Sequence, residues 1–139
     1  MRGKILKIVI DTNLWISFLI SNNFSKLERI LFSNKVTLLF SDELEGEFLD
    51  VAGRPKFRRY FSHEEIQNVL TVIHKRTINI EVKSVEKVCR DPKDNFLLAL
   101  AIDGKADFLI TGDADLLTLE NHRGVKIVTI TDFLTEHLS

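Results

Sequence analysis

Four carboxylates are spaced so that an alternating fold could bring them to one place. Asp11 ends the apolar run Ile8-Val9-Ile10, and Glu47 lies inside a helical stretch. Asp94 opens an apolar helical stretch, and Asp113 follows Phe108-Leu109-Ile110 by two residues. Crowded carboxylates repel one another, so such a cluster costs stability unless a proton is shared or a cation sits between them. A hard divalent cation resolves the conflict. Mg²⁺ is typically held by one or two carboxylates plus water and phosphate oxygens, and Mn²⁺ shares that octahedral oxygen preference. A second ion about 4 Å from the first would stabilise both the attacking and the leaving oxygen of a phosphodiester. Asp91 and Asp115 are close enough in sequence to support the four.

Each residue also has a plainer reading. Asp11 and Asp94 could cap or charge the starts of helices. Asp113, beside Gly112, could be a turn residue, and Glu47 could sit on a solvated helix face. All four plain readings must hold together to dissolve the cluster.

The elements that would position these groups follow from apolar spacing. Strands are expected at 8–10, 36–40, 78–82, 108–110 and 125–128. Helical spacing runs through Leu14, Trp15, Phe18 and Leu19, and again through Leu27, Ile30 and Leu31 with Ser25 as its N-cap. Asp42 with Glu45, and Ser62 with Glu65, fit the reciprocal capping signature. The first would open a helix through Leu44, Phe48 and Val51 that Gly53 and Pro55 end, the second a helix through Ile66, Val69, Leu70 and Ile73. A helix over 94–102 is apolar on nearly every side and hence central, and Thr131 would cap a closing helix. Strands alternating with helices predict an α/β fold, three layers (α/β/α) around a mainly parallel five-stranded sheet with right-handed crossovers. Ligands of such sheets bind at the carboxyl ends of the strands, where Asp11 and Asp113 fall.

At 139 residues the chain fits one domain, 1–139, able to bury roughly two-thirds of its unfolded surface. Its 45 % hydrophobic and 28 % charged residues exclude the disordered class. The formal charge of −1 is not that of a dedicated phosphate binder, although a carboxylate-rich cation site would offset basic residues elsewhere. Cys89 alone excludes a disulfide framework and a cysteine zinc cluster, and reads as a small buried hydrophobe. His63, His74, His122 and His137 lack metal-ligand spacing, and Trp15 reads as core. Asp11 interrupts the apolar run after the basic start Met1-Arg2-Gly3-Lys4 too early for a signal peptide, and no run spans a membrane. A cytoplasmic setting is expected.

Four blocks of this chain resemble PIN-domain nucleases in order and spacing, covering nearly its whole length. They are Val9-Ile10-Asp11-Thr12-Asn13, the stretch from Ser41 to Phe57, Asp94 with Ala99 and Ala101, and Leu109-Ile110-Thr111-Gly112-Asp113-Ala114-Asp115-Leu116. The second block is similar to a branch of VapC-like toxins of toxin–antitoxin systems. The resemblance implies acidic metal-binding positions at Asp11, Glu47, Asp94 and Asp113, hydrogen-bonding support from Asn13 and Thr111, and an auxiliary carboxylate at Asp115. Glu47 is preferred over Glu43 and Glu45 because it precedes Phe48 at the family's spacing from Arg54-Pro55-Lys56. Also implied are Mg²⁺- or Mn²⁺-dependent cleavage of single-stranded RNA, leaving a 5′-phosphate and a 3′-hydroxyl, and commonly a homodimer.

Arg54, Lys56, Arg58 and Arg59, interleaved with Phe57, Tyr60 and Phe61, form the densest basic stretch. Cations and rings together suit a single-stranded backbone with stacked bases, but the same rings could instead be core beneath a solvated loop. A small antitoxin partner would lay an apolar helix on the exposed faces of the helices between Leu14 and Asn34. Two rivals remain: a non-catalytic PIN-like module that only binds RNA or protein, and an aspartyl-phosphate phosphatase. The phosphatase would carry a second Asp where Asn13 stands.

Overall fold

The computed structural model describes residues 5–21 and 24–138, so the basic start at residues 1–4 lies outside it. Alternation of apolar runs with helical spacing produces an α/β fold whose six-stranded sheet has the order β3-β2-β1-β4-β6-β5. Its parallel members are β1 (Leu6–Ile10), β2 (Val36–Phe40), β3 (Thr77–Asn79), β4 (Phe108–Ile110) and β6 (Val125–Val128). The β5 strand (Asn121–His122) pairs antiparallel with β6 at one edge. Successive strand residues point to opposite faces. Ile8, Val9 and Ile10, like Phe108, Leu109 and Ile110, are all buried, so helices cover both faces in three layers.

The sixth strand corrects the expected five. It exists because Arg123 and Gly124, both at positive φ (50° and 91°), form the two-residue turn that sets His122 opposite Val125. Further boundaries differ: β1 starts at Leu6 rather than Ile8, and the apolar helix expected over 94–102 spans Pro92–Asp103. The third strand spans Thr77–Asn79 rather than 78–82: β2 offers no partner beyond Phe40, and the Lys83 and Ser84 amides bond the Asp103 carboxylate instead. Helix α3 (Asp42–Ala52) is capped by Ser41 rather than Asp42, the buried Ser41 hydroxyl accepting the Leu44 amide at 3.0 Å. Closing helix α7 (Ile130–His137) is capped by Thr129 rather than Thr131, because β6 ends at Val128, directly before Thr129, and the Thr129 hydroxyl accepts the Asp132 amide.

Helix α1 spans Thr12–Ser21, and α2 spans Phe24–Leu31, so Ser25 falls inside α2 and the residue preceding that helix lies outside the described residues. The Ser62–Glu65 capping box of α4 (His63–Arg76) forms as expected, and Gly53 ends α3 before a 3₁₀ turn at Pro55–Phe57. Helix α5 (Pro92–Asp103) buries Leu97, Leu98, Leu100 and Ala101 against β1 and β4, which is why its sequence is apolar all round. Short α6 (Ala114–Leu119) follows β4. Trp15 is core, edge-on to Phe40. Among the described residues, no helix is long and apolar enough to cross a membrane.

Strand order positions the site. The chain builds outward from β1 through β2 to β3, then returns through α5 to β4 on the other side of β1. The crevice of such a sheet opens at this reversal, outside the carboxyl ends of β1 and β4.

Candidate functional site

Asp11 follows β1 at that crevice and is only 5 % exposed. Its two oxygens are separately fixed. Oδ2 accepts the Thr111 hydroxyl at 2.7 Å, and Oδ1 accepts the Asn13 amide at 3.1 Å. The Thr111 hydroxyl oxygen accepts in turn from the Asp113 amide at 3.0 Å, tying the end of β4 to the end of β1. Burial raises the Asp11 pKa; the bonds from Thr111 and Asn13 oppose the rise, and the charges of Asp113 and Asp91 add to it.

Asp94 reaches the same rim from the first turn of α5. The N-cap role belongs to Asp91, whose Oδ1 accepts the Lys93 amide, so the Asp94 carboxyl is not needed to cap the helix. It is 7 % exposed, and burial together with the charges of Asp113, Asp91, Asp11 and Asp115 pushes its pKa up to about 6. Asp113 keeps its plain role as well: it is the N-cap of α6, its Oδ1 accepting the Asp115 and Leu116 amides at 2.8 and 3.2 Å.

Glu47, in α3, is half-buried and faces the Lys93 ammonium at 3.7 Å. Burial raises its pKa, Lys93 lowers it, and Asp11 and Asp91 raise it further. Its neighbours are placed elsewhere: Glu45 pairs with His74 of α4, and Glu43 is exposed. Asp115 is gripped by both of its oxygens by Arg90 at 3.0 and 2.8 Å. Asp11, Glu47, Asp94, Asp113 and Asp115 are thus coupled through their charges, with Asn13 and Thr111 bonded to Asp11.

The sequence reading missed Lys93 and Arg90, which bring positive charge to this rim. Their signal was the alternation Arg90-Asp91-Pro92-Lys93-Asp94. Cys89 is half-buried rather than buried; its backbone exchanges hydrogen bonds with the Asn95 amide group, and burial first, then Asp94, raise its thiol pKa. Of the four basic residues singled out, Arg54 and Lys56 line a groove that begins at Asn13. Arg58 and Arg59 are exposed outside that lining, Arg59 packing on Tyr60. The rings divide between the two readings: Phe61 is core, Phe57 half-buried and Tyr60 exposed.

The donor chemistry suits a hard cation. Among the described residues, no cationic side chain is paired with Asp11 or Asp94, although burial disfavours charge on both. No three Asp, Glu, His or Cys side chains among them already stand as a ligand set. Mg²⁺ does not require one, since waters and substrate phosphate complete its shell.

Comparison with known proteins agrees with this architecture. The sequence profile of the PIN domain matches residues 7–115. The chain is 32 % identical over 142 residues to an uncharacterized protein, MJ1680, of Methanocaldococcus jannaschii, covering 94 % of this chain and 91 % of that one. The structure of the PIN domain endonuclease Utp24 shares the fold at a TM-score of 0.54 and 21 % identity, over 90 % of this chain and 85 % of that one.

Proposed function

Because the chain belongs to the PIN-domain family, we propose that it is a Mg²⁺- or Mn²⁺-dependent endoribonuclease that cleaves single-stranded RNA. The observation that carries this reading is the pair of buried carboxylates, Asp11 and Asp94, at the mouth of the sheet's crevice, which no cationic side chain among the described residues pairs with. Asp11, Asp94 and Asp113 would hold the cation, and Glu47 would hold a second one or orient the attacking water. When bound, the cation neutralises the carboxylates and offsets the charge that develops on the phosphodiester oxygens. The chain's own part is orientation. Thr111 and Asn13 lock both Asp11 oxygens, and α6 fixes Asp113 through its cap. Arg54 and Lys56 would contact the substrate backbone, with Arg58 and Arg59 further out on the same turn.

The finer reading, the toxin of a toxin–antitoxin pair, rests on the resemblance of the stretch from Ser41 to Phe57. An antitoxin helix would find an apolar groove between α2 and α4, lined by Trp15, Leu31, Phe32, Val69, Val72 and Ile73. The rival non-catalytic module draws support from Lys93 and Arg90, which already neutralise part of the acidic rim.

Incubation of a labelled single-stranded RNA with Mg²⁺ or Mn²⁺, with EDTA and Asp94→Asn as controls, separates the two. Metal-dependent cleavage lost in the variant supports the nuclease. No cleavage together with no calorimetric metal binding leaves the module.

A further inference from the structure

We propose that the groove between α1 and the turn after α3 is a slot for a single unpaired nucleobase flanking the scissile phosphate. This deepens the nuclease reading and rests on it for the position of the phosphate. The groove has a volume of about 370 Å³ and is lined by Asn13, Ile16, Ile20, Val51, Lys56 and Phe57, among others. Asn13, Ser17 and Ile20 recur at helical spacing, so one face of α1 forms its wall from end to end. Its inner end is tied to the acidic crevice, because the Asn13 amide is bonded to Asp11 Oδ1.

The chemistry of the lining selects the occupant. Buried Ile16 and Val51 give an apolar floor that a sugar-phosphate would not fill. Phe57 gives a half-buried ring, held in place by near-parallel packing on the core residue Phe61, with centroids 6.1 Å apart and planes 20° apart. A base stacked on a fixed aromatic ring is the sequence-tolerant contact of single-strand binders. The positive charge is at the lip. The Lys56 ammonium sits over the Phe57 ring, 5.0 Å from its centre, and would swing to a phosphate as the base takes that face. Among the described residues, exposed Arg54 is held by an i,i+4 pair with Asp50, which a phosphate can displace. On a chain of net charge −1 with an acidic crevice, these cations are where an adjoining phosphate is tolerated. A duplex, whose bases are already paired and stacked, cannot enter.

The test is fluorescence anisotropy of a labelled RNA octanucleotide with the whole chain in EDTA, so that binding is read without cleavage. Phe57→Ala should weaken binding about tenfold, the scale of one lost base stack. Phe57→Leu, which keeps an apolar contact with Phe61, should lose nearly as much and guards against a folding defect. Lys126→Ala, an exposed cation of β6 outside both the groove lining and the basic stretch, should change affinity less than about twofold, the small effect of one exposed charge. The single strand should bind more tightly than its duplex.

Wild-type affinity in both Phe57 variants, an equal loss in Lys126→Ala, or duplex binding as tight as single-strand binding would each overturn the slot. Cleavage measured separately keeps the two claims apart. Binding that depends on Phe57 without any metal-dependent cleavage sinks the nuclease and leaves the slot. Cleavage indifferent to Phe57, in KM as well as in kcat, sinks the slot and leaves the nuclease.

Discussion

Asp94→Asn removes a charge from the position where burial and like charges oppose it most clearly. They hold the Asp94 carboxyl at about 6 rather than 3.8. At about 1.4 kcal/mol for each tenfold change in proton affinity, the ionised form costs the folded chain about 3 kcal/mol at neutral pH. Water at the rim screens about half of that. The dipole of α5 works the other way, since a negative charge in a helix's first turn stabilises by about 0.3–1 kcal/mol. The balance favours the variant. Without metal near neutral pH, Asp94→Asn should be more stable by about 1 kcal/mol, a rise in Tm of about 3–5 °C for a domain of this size.

The pH dependence follows from the sign of the shift. The folded-state value lies above the unfolded one, so between pH 3.8 and about 6 the folded chain binds the proton more tightly. Wild-type stability relative to the variant therefore falls as pH rises through that window, and the deficit is complete above it. Urea unfolding in EDTA at about pH 7.5 and about pH 4.5 should show the variant's advantage at the first and its near loss at the second. Excess Mn²⁺ should reverse the order at neutral pH, because a ligand of the folded state stabilises the chain that binds it. A variant less stable than wild type in EDTA, or a difference independent of pH, would refute the reasoning and make Asp94 an ordinary first-turn residue of α5.

Three further outcomes test neighbouring parts of the structure. Thr111→Val keeps the side chain's shape but deprives Asp11 Oδ2 of its donor and the Asp113 amide of its acceptor; it should cost about 1–3 kcal/mol in urea unfolding. That cost should be greater at pH 8 than at pH 5, because the lost bond opposed the rise in the Asp11 pKa and so favoured its ionised form. Lys93→Met removes the ammonium facing Glu47 and should tighten Mn²⁺ binding about three- to tenfold by calorimetry, whereas weaker binding would mean that Lys93 supports the cation. Gly104→Ala would place a Cβ 2.5 Å from Leu39 Cδ1, a side chain fixed in the core, and should cost about 1–3 kcal/mol in urea unfolding.

The fold was legible where one signal dominated. Strands β2, β4 and β6 fall at the expected residues because each is a short apolar run closed by polar groups. Helix caps were misplaced where two residues one or two positions apart could both accept a backbone amide. Ser41 beats Asp42, and Thr129 beats Thr131, because the strand before each helix ends where it does, and the cap is the residue at that end. The β5 strand was invisible as hydrophobicity. It has two residues, and its cause is the Arg123-Gly124 turn rather than its own composition.

The carboxylate rim was legible for a related reason. In a parallel sheet the residues just after a strand are at the crevice whatever their side chains do, so Asp11, directly after β1, and Asp113, beyond Thr111 and Gly112 after β4, could be placed from strand ends alone. What could not be read was how each carboxylate divides its oxygens. Asp113 caps α6 with Oδ1 while its charge still acts on Asp94, so its plain and functional readings are compatible rather than exclusive. Asp11 likewise holds the first turn of α1 with one oxygen and Thr111 with the other. The cations escaped notice because Lys93 and Arg90 act across elements: Lys93 of α5 faces Glu47 of α3, and Arg90, ahead of α5, grips Asp115 of α6. Those pairs withdraw charge from Glu47 and Asp115 and leave Asp11 and Asp94 with the strongest unmet demand for a positive ion. The order of that demand, set by tertiary contacts that no local pattern encodes, is what the Asp94 and Lys93 substitutions measure.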